Sequence, residues 1–239
     1  MKAPGLHNPF PARPDEPDER PAITRDGGSR LNRALVLSFA DVLSYPHSRI
    51  DGDVEACEEL ARSESEEAAE LLRRFRDFVA VTPLGELQEA YTLAFDLDSL
   101  SESEPTCYPY VGHHLFEENH KRSAFILGLL ERYRVHDFEA DAGELPDHLV
   151  VVLRFVAACD DDELVAETVD EALLPSLARM MGTVGSAEPV NGRQRYQQVV
   201  NALALALQAR RPEVVFDETE MAWSRPGDSL GISRDTCGH

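Results

Sequence analysis

RQRYQQVVNALALALQAR, residues 193–210, decides the fold class. Tyr196, Val199, Val200, Leu203 and Leu207 recur at steps of three and four. That spacing lines up side chains on one face of an α-helix, whereas a strand requires alternation. The same period appears on both sides of the chain's midpoint. Leu31, Leu35, Phe39, Val42 and Leu43 form one stripe, which Tyr45-Pro46 ends. A second helix is expected from Val54 to Arg62. A third, from Ser65 to Ala80, carries Leu71, Leu72, Phe75, Phe78 and Val79. Thr82-Pro83 reads as an N-cap followed by proline at the first helical position, ahead of Leu84, Leu87, Tyr91, Ala94 and Phe95. Residues 96–112 break the pattern with an acidic stretch and then Cys107-Tyr108-Pro109-Tyr110, a long loop with an aromatic end.

A long helix is expected over Leu115–Val135, with Phe116, Ala124, Phe125, Leu127, Leu129, Leu130 and Tyr133 as its apolar residues. Pro146 suits the first turn of the next helix, whose stripe is Leu149, Val152, Leu153, Val156 and Cys159. Asp160 to Glu163 can cap a further helix running to Pro175. A short one then holds Leu177, Met180 and Met181 up to Gly182, and residues 185–192 form a loop. No alternating run of useful length occurs. The expectation is an all-α, single helical bundle over residues 29–211, between a disordered tail at 1–28 and a flexible acidic tail at 212–239.

Composition narrows the function classes. The formal net charge of -21 argues against binding nucleic acid through its phosphates. Lys2 and Lys121 are the only lysines, and every other basic side chain is arginine. Acid-rich, lysine-poor composition suits a protein working in molar salt, where counter-ions screen the repulsion. A surface built for a cationic partner is the other reading of the charge. No run of about 18 apolar residues occurs, and the proline- and charge-rich start lacks the apolar core of a secretory signal, so a cytoplasmic location is expected. Cys57, Cys107, Cys159 and Cys237 form no C-x-x-C pair, which fits a reducing compartment.

Catalytic patterns are missing. Phosphate-binding glycine motifs and a G-x-S-x-G elbow are absent. His113 and His114 are adjacent, and His120 does not stand at the i, i+4 spacing of a helical zinc pair, so surface or capping roles are expected for them. Asp160-Asp161-Asp162-Glu163 lacks the spaced oxygens and glycine of a calcium loop. The expectation is a protein that is no enzyme and carries no metal or cofactor of its own.

Tyr108-Pro109-Tyr110-Val111-Gly112-His113-His114-Leu115-Phe116 is followed by Lys121-Arg122-Ser123, by Leu130-Glu131-Arg132-Tyr133, and by Glu144-Leu145-Pro146-Asp147-His148-Leu149. This order resembles the nitrate reductase delta-subunit family of assembly chaperones, within the wider group serving trimethylamine-oxide and dimethyl-sulfoxide reductases. Tyr91-Thr92-Leu93-Ala94-Phe95-Asp96-Leu97 adds to the resemblance. The resemblance spans residues 31–208 and leaves both tails unmatched. It is closest to the branch serving type II dimethyl-sulfoxide-reductase-like enzymes.

The resemblance implies function by binding. Its members hold the catalytic subunit of a molybdopterin oxidoreductase during insertion of the molybdenum cofactor, and many recognise its twin-arginine signal peptide before export. A twin-arginine leader presents guanidinium groups and then an apolar segment, so its receptor needs carboxylates beside an apolar groove. Asp147 and His148 are the first candidate contacts, followed by Glu144, Pro146 and Asp96. Tyr91, Phe95, Tyr108, Tyr110 and Phe116 are candidate aromatic wall. For Asp147 the plainer role is an acid at a helix start, for His148 packing, and for Tyr91 and Phe95 a place in the core. Two rival functions remain at this level, an acidic helical adaptor for an unrelated partner and a metal-dependent helical hydrolase.

Overall fold

The computed structural model describes residues 31–95, 107–116, 119–140, 143–181 and 191–209. Both tails, Asp96, the acidic stretch that follows it and most of the 185–192 loop lie outside these residues. The described chain is all-α, as its periodicity requires. Helices α1 (Arg33–Val42), α2 (Ile50–Arg62), α3 (Glu66–Val81) and α4 (Leu84–Phe95) come first. A short α5 (Val111–Leu115) and a long α6 (Asn119–Val135) follow. The last are α7 (Leu149–Ala158), α8 (Asp162–Thr168), α9 (Leu174–Met180) and α10 (Gly192–Gln208).

α10 is the hub of the bundle and packs on α3, α4 and α9, while α1 packs on α2 and α7. Tyr196 of α10 is fully buried, with the rings of Phe75, Tyr91 and Phe95 at 5.0, 5.4 and 5.6 Å. Edge-on rings at these distances add to the gain from burial alone. The stripe read from residues 193–210 is therefore the centre of the core. Capping also follows the sequence. Ser65 accepts the amide of Ala68, Asn191 that of Gln194, and Asp161 those of Glu163 and Leu164.

Six local expectations are corrected. α2 starts at Ile50, one turn before Val54, because Asp51 and Asp53 stabilise a first turn that has little apolar pattern. Thr82 caps no N-terminus; it closes α3, its hydroxyl donating to the Phe78 carbonyl at 2.6 Å. The expected long helix from Leu115 is two, broken where Phe116 turns extended. Leu127 and Leu130 are exposed and do not share the buried face of Phe125, Leu129 and Tyr133. Pro146 lies in a turn before α7, which starts at Leu149 with His148 as its N-cap. Pro175 does not end a helix. α8 passes through a π-helical segment, Val169–Leu173, into α9, and the amide of Leu174 reaches back five residues to the Val169 carbonyl. Proline is tolerated there because it falls in the first turn of α9.

Candidate functional site

The motif residues converge from three segments. Val111 donates its amide to the Asp147 carbonyl at 2.8 Å, and Leu149 donates to the Pro109 carbonyl at 2.6 Å. These bonds clip residues 109–111 to 147–149 as a single antiparallel bridge between Tyr110 and His148. Tyr133 of α6 ties in the same turn, its hydroxyl donating to the Pro146 carbonyl at 2.8 Å.

Asp147 has no exposed surface. Its carboxylate accepts from Arg122 Nε at 2.9 Å and from Nη2 at 3.3 Å. The same guanidinium carbon lies 5.1 Å from the centre of the Tyr110 ring, within cation–π range. Gly112 makes this approach possible. A Cβ there would stand 2.8 Å from Asp147 Oδ2 and 3.0 Å from both Arg122 Cγ and Phe125 Cδ1. The acid that the resemblance marks first is therefore already satisfied by an arginine of its own chain. Arg122 and Gly112 were not among the candidate contacts. Both belong to the quoted motif, yet no spacing rule joins residue 112 to 122 and 147.

His148 is also buried, and its Nδ1 accepts the amide of Val150 at 3.3 Å. Burial pushes its pKa down, the carboxylates of Glu144 and Asp147 resist, and Arg154 adds to the fall. Its Nε2 lies 3.9 Å from Glu144 Oε2, too far for a hydrogen bond. Glu144 itself is exposed and presents its carboxylate at the edge of the bridge. Tyr110 is half-buried, with its ring 5.6 Å from that of His148. Burial raises the Tyr110 hydroxyl, as do Glu144 and Asp147, while Arg122 opposes them. Burial, and then the charge of Glu144, raise the Tyr91 hydroxyl. That hydroxyl donates to the Leu43 carbonyl at 3.2 Å, and exposed Tyr45 packs edge-on against the ring at 5.5 Å. Glu144 and Tyr110 thus flank His148 at one rim.

The remaining candidates lie elsewhere. Phe95 is in the Tyr196 core. Tyr108 is buried with its ring 4.7 Å from that of His113. His114, expected at the surface or as a cap, is buried as well. Its Nε2 donates to the Tyr108 carbonyl at 2.8 Å, and Arg179 donates to the His114 carbonyl. Burial, resisted by the Tyr108 bond, pushes its pKa down to about 4, so it is neutral at pH 7. Phe116 lines a separate cleft of about 230 Å³ between α6 and the α8–π run, with Leu115, Phe125, Leu129, Arg132, Glu167, Thr168, Glu171 and Ala172.

Cys57, Cys107 and Cys159 are buried free thiols. Burial lifts Cys57 to about 12 and Cys107 to about 11, so neither is a thiolate near neutral pH. Among the described residues no three His, Cys, Asp or Glu side chains converge as metal ligands, and no helix is long and apolar enough to cross a membrane.

A family model, nitrate reductase delta subunit, matches residues 61–184 of the 239. That span contains Gly112, Arg122, the 144–149 turn and the whole α8–α9 run. No curated protein matches the chain. With more than half of its length matched and the motif residues meeting in one clip, the chain belongs to the nitrate reductase delta-subunit family, a family of molybdoenzyme assembly chaperones rather than of catalysts.

Proposed function

We propose that this protein binds the catalytic subunit of a molybdenum oxidoreductase in the cytoplasm, recognises its twin-arginine leader, and holds it for cofactor insertion before export. The observation that carries this reading is the rim beside the bridge, where the exposed carboxylate of Glu144 and the half-buried ring of Tyr110 flank His148. An incoming guanidinium gains a charge-assisted bond from the carboxylate and a cation–π contact from an aromatic face. Asp147 supports this rim from beneath: its pairing with Arg122 fixes the turn that presents Glu144. Asp147 is thus a positioning residue in this reading, and Glu144 is the contact. The lysine-poor, acidic composition supports a host of high internal salt, where such short-range contacts outlast long-range attraction.

The test is isothermal titration calorimetry in multimolar KCl against leader peptides of the host's molybdoenzymes, with both arginines changed to alanine as control. One leader binds the wild type, and either the arginine control or Glu144→Gln weakens it by about tenfold, roughly 1.4 kcal/mol. Equal binding of the control peptide would remove leader recognition from the reading. Failure to co-purify with any tagged catalytic subunit would remove the client itself.

A further inference from the structure

We propose that the cleft between α6 and the α8–π run is a second contact point, an anchor site. It takes one large apolar side chain of a client segment and places a neighbouring arginine of that segment on Glu171. The inference rests on the reading that this chain binds a molybdoenzyme subunit.

Size favours an inserted side chain. The cleft holds about 230 Å³, below the roughly 300–1,000 Å³ of small-molecule sites, which fits an inserted side chain instead. Its floor is apolar, made by Leu115, Phe116, Phe125, Leu129 and Ala172. One lip is closed by Arg132 of α6, bonded to Glu167 of α8 at 2.6 Å. Glu171, four residues further along the wall that carries Glu167, is exposed and without an ion pair among the described residues.

Charge selects the occupant. The wall formed by α8 and the π segment lines the cleft with two acids, Glu167 and Glu171, and no base. A partner with its own carboxylates is repelled there, and a cation beside an apolar group is accepted. Backbone geometry adds to this. Glu171 and Ala172 both lie in the π segment, and such insertions recur at functional sites because they re-aim side chains that a regular helix would turn elsewhere. Ala172 keeps that part of the floor short, which leaves the space open.

The cleft also communicates with the motif clip. Phe125 lines the cleft and closes over Gly112 beside the Arg122–Asp147 pair. A client segment seated in the cleft would thus touch the wall that carries the family's motif residues.

The experiment co-expresses the full chain with the affinity-tagged catalytic subunit of a molybdoenzyme from the same host and measures recovered complex. Three variants are compared with wild type, each checked by thermal melting: Glu171→Arg on the wall, Ala172→Leu in the floor, and Glu163→Arg as an exposed acid of α8 outside the cleft. Expected is a loss of about tenfold or more for Glu171→Arg and Ala172→Leu, with Glu163→Arg near wild type. If Ala172→Leu melts early, Glu171→Arg alone decides. Wild-type recovery for Glu171→Arg, or equal loss for Glu163→Arg, overturns the anchor site while the chaperone reading stands. No recovery even for wild type removes both.

Discussion

Helices α6 and α10 are both 17 residues long, and both carry apolar residues on more than one side. Their fates differ. α10 buries nine residues between α3, α4 and α9, whereas α6 buries Phe125, Leu129 and Tyr133 and leaves Leu127, Leu130 and Val135 exposed. α6 is held by a narrow stripe of one residue per turn and by point contacts. Arg122 grips Asp147, Arg132 grips Glu167, and Tyr133 donates to Pro146. The difference teaches that apolar content does not by itself place a helix in the core. What decides is how many elements arrive to cover it, and α10 has neighbours on more sides than α6.

The comparison can be broken most sharply at Tyr196. Tyr196→Ala removes the ring on which Phe75, Tyr91 and Phe95 converge, and should cost about 4 kcal/mol in urea unfolding. A cost near zero would mean that α10 is not the central helix. On α6 the largest expected effect is polar. Arg122→Met leaves the buried carboxylate of Asp147 without its counter-charge, at about 3 kcal/mol. Arg122→Met with unchanged stability would show that point contacts do not hold α6. Leu127→Ser, on the exposed side of α6, should stay within about 0.5 kcal/mol by the same measurement. A large loss there would mean that α6 is covered by a partner in solution, which a change in hydrodynamic size would report.

Periodicity made most of the fold legible. The stripes on α1, α3, α7 and α10 and the cap at Asp161 follow from local rules, since each involves residues within a few positions of one another. The failures share a cause. At Phe116 the extended backbone lets the 109–111 segment meet 147–149, and at His148 the cap waits for that pairing, so two helix boundaries are set across the molecule. At Pro175 a π segment absorbs what reads locally as a stop. Leu127 and Leu130 look buried in a window of α6 because the sequence does not say where the neighbouring helices end.

The candidate site divides in the same way. The resemblance on residues 108–149 picked segments that converge, with Glu144 and Tyr110 on either side of His148. The cleft at Glu171 had no sequence signal beyond a run of acids, because its floor comes from α5, α6 and the π segment together.

Sequence alone determined the helical class, the cap at the start of α8, the acid excess and the family, because spacing, side-chain type and motif order are properties of the chain itself. Only the tertiary structure decided that Asp147 is paired inward and Glu144 outward. Arg122 lies 25 residues from Asp147 along the chain, and Gly112 is ten residues further back. Burial and counter-charge depend on which segments meet across that distance, and a linear pattern holds no record of that meeting.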